Sequence, residues 1–169
     1  VLRELLAWRL GIADSDSGAL ARQRLVDGLR PWLGEAAQAK AERIGQLLGM
    51  DFADSEHVRG LSPRALRELA FQALAEYLHG LSAAGDALAL LIEDLHWADD
   101  GTLDFIEHLA QHHAALPLLL IATARPTLLE RRPAWASRPE GHRLLPLHDL
   151  AAGDAQTMAS ALLLRAGDA

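Results

Sequence analysis

Apolar residues recur at helical spacing through residues 1 to about 84, and then the rhythm changes. Leu2, Leu5, Leu6 and Leu10 outline a first short helix, closed by Gly11. The run Asp14 to Ser17 offers N-caps for a second helix, Gly18 to Leu29. Pro31 suits the first turn of a third, running to Leu48 before Gly49. Ser62-Pro63 is a stronger start signal, a cap followed by proline at the first helical position. Behind it Leu66, Leu69, Ala70, Ala73, Leu74, Tyr77 and Leu78 share one helical face, and the small residues from Gly80 to Asp86 end that helix in a turn.

From Ala87 to Ile92 the chain is wholly apolar and stops at Glu93-Asp94. A run this short reads as a buried strand, with a buried helix as the competing reading because only Ile92 is β-branched. Asp99-Asp100 can cap a helix through His113 that turns Leu103, Ile106, Leu109 and Ala110 to one side. Pro117 to Ala124 is a second buried run. Strand, capped helix, strand predicts a βαβ crossover with two parallel, right-handed strands. A weaker strand from Arg143 to Leu147 and a helix from Gly153 to Leu164 follow. The predicted class is therefore α/β. A helical part, residues 1–84, precedes a sheet part, residues 85–169, within one incomplete domain.

Parallel strands place their carboxyl ends on one edge of the sheet, where α/β folds bind ligands. Glu93 and Asp94 leave one strand at that edge and Arg125 leaves the other. A carboxylate pair suits magnesium, which touches one or two carboxylates and keeps several waters. An arginine suits phosphate oxygens. Together they point to phosphoryl transfer from a nucleotide. The plainer alternative is that the acids cap the next helix and Arg125, before Pro126, is a solvated turn residue.

The string Leu90 to Asp99, with Glu93-Asp94-Leu95-His96-Trp97-Ala98-Asp99 at its centre, resembles the Walker B segment of the STAND-class, AAA-like P-loop ATPases of bacterial signalling regulators. Those domains occur beside adenylate or guanylate cyclase, LuxR-type or kinase domains. Thr102 to Leu109 continues the likeness, and Leu118 to Pro126 resembles the family's sensor-1 strand with its arginine. Leu5 to Ile12 and Pro146 to Leu150 resemble flanking family segments. The resemblance implies a partial P-loop NTPase fold and the cofactors ATP and magnesium. It implies that Glu93 holds magnesium through water and Asp94 orients the attacking water. The metal and catalytic residues are thus both Glu93 and Asp94. Glutamate where aspartate is commoner leaves their division of labour open. Arg125 would sense the γ-phosphate, with Thr123 shaping the strand end beside it. His96 and Trp97 are read as packing residues, and Asp99 as a helix cap.

One element of that family is missing from these 169 residues: no Gly-x-x-x-x-Gly-Lys-Ser/Thr occurs. That loop supplies the amides and lysine that cradle phosphates. The chain starts at Val1 inside an amphipathic pattern, so both ends read as cuts in a longer protein with the loop upstream. Isolated, the segment is expected to bind nucleotide weakly and to carry unpaired sheet edges. The expected role is an ATP-binding and hydrolysing switch, with the other domains of the same chain as partners and nucleotide-dependent self-association as a further option. A silent scaffold or a helical interaction module, with Leu25, Leu29, Trp32 and Leu33 as its contact stripe, are the alternatives.

Composition narrows the field. A net charge of −7 argues against a direct nucleic-acid surface. Zero cysteines exclude disulfides and thiolate metal sites and fit the cytoplasm. The longest apolar run, Ala114 to Ala124, is far short of the ~20 residues a membrane span needs, so no membrane partner is expected. His108, His112 and His113 have zinc-like spacing but lack a metalloprotease glutamate and a third ligand, and read as a packed or solvated face. Arg131, Arg132 and Arg138 read as a solvated basic loop, or as an arginine reaching a neighbouring subunit's nucleotide.

Overall fold

A computed structural model describes residues 1–85, 87–137 and 142–167. Helix α1 (Leu2–Leu10) ends where Gly11 turns left-handed at φ 65°, and the Ile12 N–H returns to the Ala7 carbonyl at 2.8 Å. Helix α2 (Gly18–Leu33) starts at Ser17, whose Oγ accepts the Leu20 N–H. The sequence expects a break at Pro31, yet α2 continues through it to Leu33. Leu25, Leu29 and Leu33 are spaced by four, and all three are buried. Seating Leu33 in the core outweighs the one backbone bond that proline forfeits near a helix end. The break comes instead at Gly34, whose φ 63° and ψ −144° only glycine adopts cheaply.

Helix α3 (Ala37–Leu47) and helix α4 (Pro63–Ala83) complete a helical layer. Ser62 caps α4 by accepting the Ala65 N–H, and Pro63 occupies its first turn, as the sequence predicts. Leu25 and Leu29 of α2, Ala41 and Ile44 of α3 and Ala70 of α4 are wholly inaccessible to solvent. The α2 stripe is thus core, not a contact surface.

Strand β1 (Leu88–Ile92), helix α5 (Asp100–His112) and strand β2 (Leu118–Ala122) form the expected βαβ unit. The strands are parallel, with Leu88 opposite Leu118 and Ile92 opposite Ala122. Leu88 and Leu118 face the helical core, and Ile92 is buried. On the opposite face Leu91, Leu119 and Ile121 are 66%, 59% and 50% exposed. Phe71 of α4 meets Phe105 of α5 with ring centroids 5.3 Å apart, which ties the crossover to the helical layer. A short helix α6 (Thr127–Arg131) follows β2.

The chain divides into two units, Val1–Pro133 and Ala134–Ala169. In the second, helix α7 (Ala152–Gly167) matches the predicted last helix. The strand predicted from Arg143 to Leu147 does not form: these residues have no regular structure, and Leu144, Leu145 and Leu147 are exposed. Pro146 removes a ladder donor from its middle, and the second unit offers no strand to pair with among the described residues. Arg138 lies outside the described residues. Among those described, no helix is long and apolar enough to cross a membrane.

Candidate functional site

The two strands run out together, and their backbones stay joined beyond the sheet. The Thr123 N–H donates to the Ile92 carbonyl at 3.0 Å, and the Leu95 N–H to the Thr123 carbonyl at 2.8 Å. Between them Asp94 takes a left-handed conformation, φ 52° and ψ 41°, and its N–H donates to Thr123 Oγ1 at 3.1 Å. The Glu93–Asp94 pair and Thr123 therefore share the carboxyl edge of the sheet, with Arg125 two residues further on. All four residues are exposed. Among the described residues the Glu93 carboxylate and Arg125 guanidinium have no ionic or hydrogen-bond partner. The Asp94 carboxylate meets only His96, 3.8 Å from its Nδ1. Charged groups at a sheet edge, uncommitted to one another, remain available to a ligand.

The loop after the acids is a single 3₁₀ turn, Leu95–Trp97. With three residues per turn its side chains point about 120° apart, so they cannot all face inward. Leu95 and His96 are buried and Trp97 is 77% exposed. His96 is the packing residue the sequence predicts. Trp97 is not; it projects into solvent with its ring 5.0 Å from that of His96. His96 Nδ1 accepts the backbone N–H of Arg125 at 3.4 Å, which places the ring between the two loops.

Asp99 is the cap of α5. Its Oδ1 accepts the Thr102 N–H at 2.8 Å, and its Oδ2 the Thr102 hydroxyl at 2.7 Å. Burial pushes this carboxyl up, but the Thr102 bonds outweigh it and hold it below the usual range. Arg131 and Arg132 do not form a solvated loop; both turn onto the start of α5. Each pairs with Asp100 Oδ1 at 3.0 Å, and Arg132 also reaches Asp104 at 2.8 Å. Hydrogen bonds from Arg131 and then Arg132 hold the Asp100 carboxyl below its ordinary value. Nothing in a local run of charge signals this, because the acids lie some thirty residues away in sequence.

The histidines pack ring on ring, with His108 stacked on His112 and tilted against His113. His108 and His112 rings lie 4.7 Å apart, and His108 also packs on Phe71 at 5.5 Å. Among the described residues no group of three metal-binding side chains is close enough to hold an ion. The acid doublet offers two hard oxygen donors without a competing cation. That donor set fits magnesium, which completes its shell with water and phosphate.

The family model described as AAA ATPase domain matches residues 4–121, well over half of the chain, including the acid doublet and most of β2. An uncharacterised protein of Rhizobium meliloti (strain 1021) is 37% identical over 87 residues, 50% of this chain and 8% of that protein. The chain thus spans a small part of that relative's length. No solved structure matches.

Proposed function

Since the chain belongs to the AAA ATPase domain family, a family of ATPase-type nucleotide-binding domains, we propose that its acidic sheet edge is the magnesium-and-water half of an ATP-hydrolysing site. The observation that supports this most is the parallel register ending at Ile92 and Ala122, with the acids and Arg125 just beyond it. In this reading Glu93 holds magnesium through water, and Asp94 orients the water that attacks the γ-phosphate. Thr123 supports Asp94 by accepting its N–H at Oγ1, and Arg125 meets the γ-phosphate oxygens. Magnesium, if bound, would be held by Glu93 and Asp94 and would supply positive charge to offset that of the phosphates. The phosphate-cradling loop is absent from these residues, so this segment alone binds nucleotide weakly.

The proposed role is a STAND-like signalling switch in the cytoplasm. Nucleotide orders this edge and changes how attached effector domains are presented. Self-association on nucleotide binding belongs to the same proposal. A scaffold without turnover is the second reading, because no phosphate-cradling Gly-x-x-x-x-Gly-Lys-Ser/Thr occurs among these residues.

The test is ATP hydrolysis by the intact natural chain that carries these residues, with Glu93→Gln and Asp94→Asn. Loss of a positioned base lowers turnover by about 100-fold or more, while binding of a fluorescent ATP analogue persists. Unchanged hydrolysis in both variants rejects Glu93 and Asp94 as the hydrolytic pair; no hydrolysis in the unaltered chain favours the scaffold.

A further inference from the structure

The segment after β2 grips the loop after β1 at a point that no ligand contact requires. Arg131 ends α6, six residues beyond Arg125. Its Nη1 donates to the His96 carbonyl at 2.9 Å, and Nη1 and Nη2 both donate to the Ala98 carbonyl at 3.1 Å. Nη2 also reaches Asp100 Oδ1 at 3.0 Å. Three of these four bonds end on main-chain oxygens. They fall on both sides of Trp97, in the turn that immediately follows Asp94.

Such a pattern differs from an ordinary surface ion pair, which links two mobile side chains and fixes little. A planar guanidinium with a rigid fork of donors can bind two nearby carbonyls and a carboxylate together; an ammonium cannot match that geometry. Arg132 offers a contrast one residue along. Its bonds run mainly to the Asp100 and Asp104 side chains and touch α5, not the turn. Between Arg125 and Arg131 stands only the short helix α6, whose Leu128 is buried. The arginine at the sheet edge and the arginine on the turn are therefore two ends of one small rigid piece.

We propose that Arg131 is a positioning residue: it locks the 94–98 turn to α6, so that the acid doublet and Arg125 are held, and move, as one unit. This rests on the reading of the site given above. The coupling it supplies is mechanical. A displacement of Arg125 by a bound phosphate would be carried through α6 to the backbone that aims Asp94.

The test compares Arg131→Lys and Arg131→Ala with Arg132→Lys in the intact natural chain. Amide hydrogen exchange is read first. In both Arg131 variants the amides of Leu95, Trp97 and Ala98 should exchange about tenfold faster, with the global unfolding midpoint no lower than in the Arg132 control. Hydrolysis is read second. Turnover should fall on the order of 100-fold, as misplaced groups do, with KM nearly unchanged. Added guanidinium should restore part of it in Arg131→Ala. Exchange that stays slow in the turn, or quickens only with global unfolding, overturns the proposal. So does faster exchange with unaltered turnover. If the unaltered chain does not hydrolyse ATP, the catalytic reading fails by itself, and the exchange data still decide whether Arg131 holds the turn.

Discussion

The helical layer and the two-stranded sheet bury their apolar residues in different ways. Helices α2, α3 and α4 close around one another, and the stripes read from their sequences vanish into a shared core. The sheet does so on one side only. Its inner face meets the helices, while Leu91, Leu119 and Ile121 stand open on the other. Parallel sheets in α/β proteins are ordinarily covered on both faces. The contrast teaches that the helical layer satisfies its own hydrophobic pattern, whereas the sheet supporting the candidate site is half satisfied. An apolar run shows that a segment wants burial; it does not show that its neighbours supply it.

The comparison can be tested by truncation. Leu29 is fully buried, so Leu29→Ala should cost about 2–5 kcal/mol in urea unfolding. A cost under about 1 kcal/mol would mean the helical layer is not the close-packed core described. Next in size is the joint between the two regions. Asp99→Ala removes the cap of α5 and should cost about 1 kcal/mol, with Asp99→Asn retaining most of it; an equal loss in both would assign the effect to charge instead.

A smaller effect depends on pH. Burial, then repulsion from His112 and His113, holds His108 below its ordinary value of 6.5. Its Nε2 is buried and has no hydrogen-bond partner among the described residues. Because the folded-state value is the lower one, the unfolded chain takes up the proton first. Stability should therefore be unaffected by this group above about 6.5 and decline as pH falls below it. His108→Gln should flatten that decline in thermal melts recorded from about pH 8 to about pH 5; an unchanged slope would assign it elsewhere. Smallest of all is Leu91→Ser. On an open face it should shift stability by no more than about 0.5 kcal/mol. A loss approaching that of Leu29→Ala would show the face to be covered after all.

Much of this is legible in the chain because the relevant signals are local. Ser17 and Ser62 as caps, Gly11 as a terminator and Asp99 before α5 act within one turn, and each stands where its chemistry predicts. The shared edge of the acid doublet and Arg125 follows from direction alone, once two apolar runs flank a capped helix. The failures all involve distant partners or an unusual turn. Pro31 does not stop α2 because Leu33 has a core to enter. Residues 143–147 make no strand because pairing needs a second strand. Thr123 under Asp94, and Arg131 across the 94–98 turn, join residues that no periodicity connects. Trp97 departs from its expected packing role because a 3₁₀ turn does not sort its side chains as an α-helix does.

The left-handed backbone at Asp94 constrains which acid can stand there. Aspartate and asparagine tolerate that conformation because their short side chains can hydrogen-bond locally, whereas longer residues pay about 1–2 kcal/mol. The order of the doublet is then not interchangeable. Swapping the two acids, by Glu93→Asp together with Asp94→Glu, conserves charge and composition yet forces the longer side chain into the strained place. Alanine at 94 would carry the same backbone penalty, mixing conformational with chemical loss. Asparagine is the substitution that isolates the carboxylate.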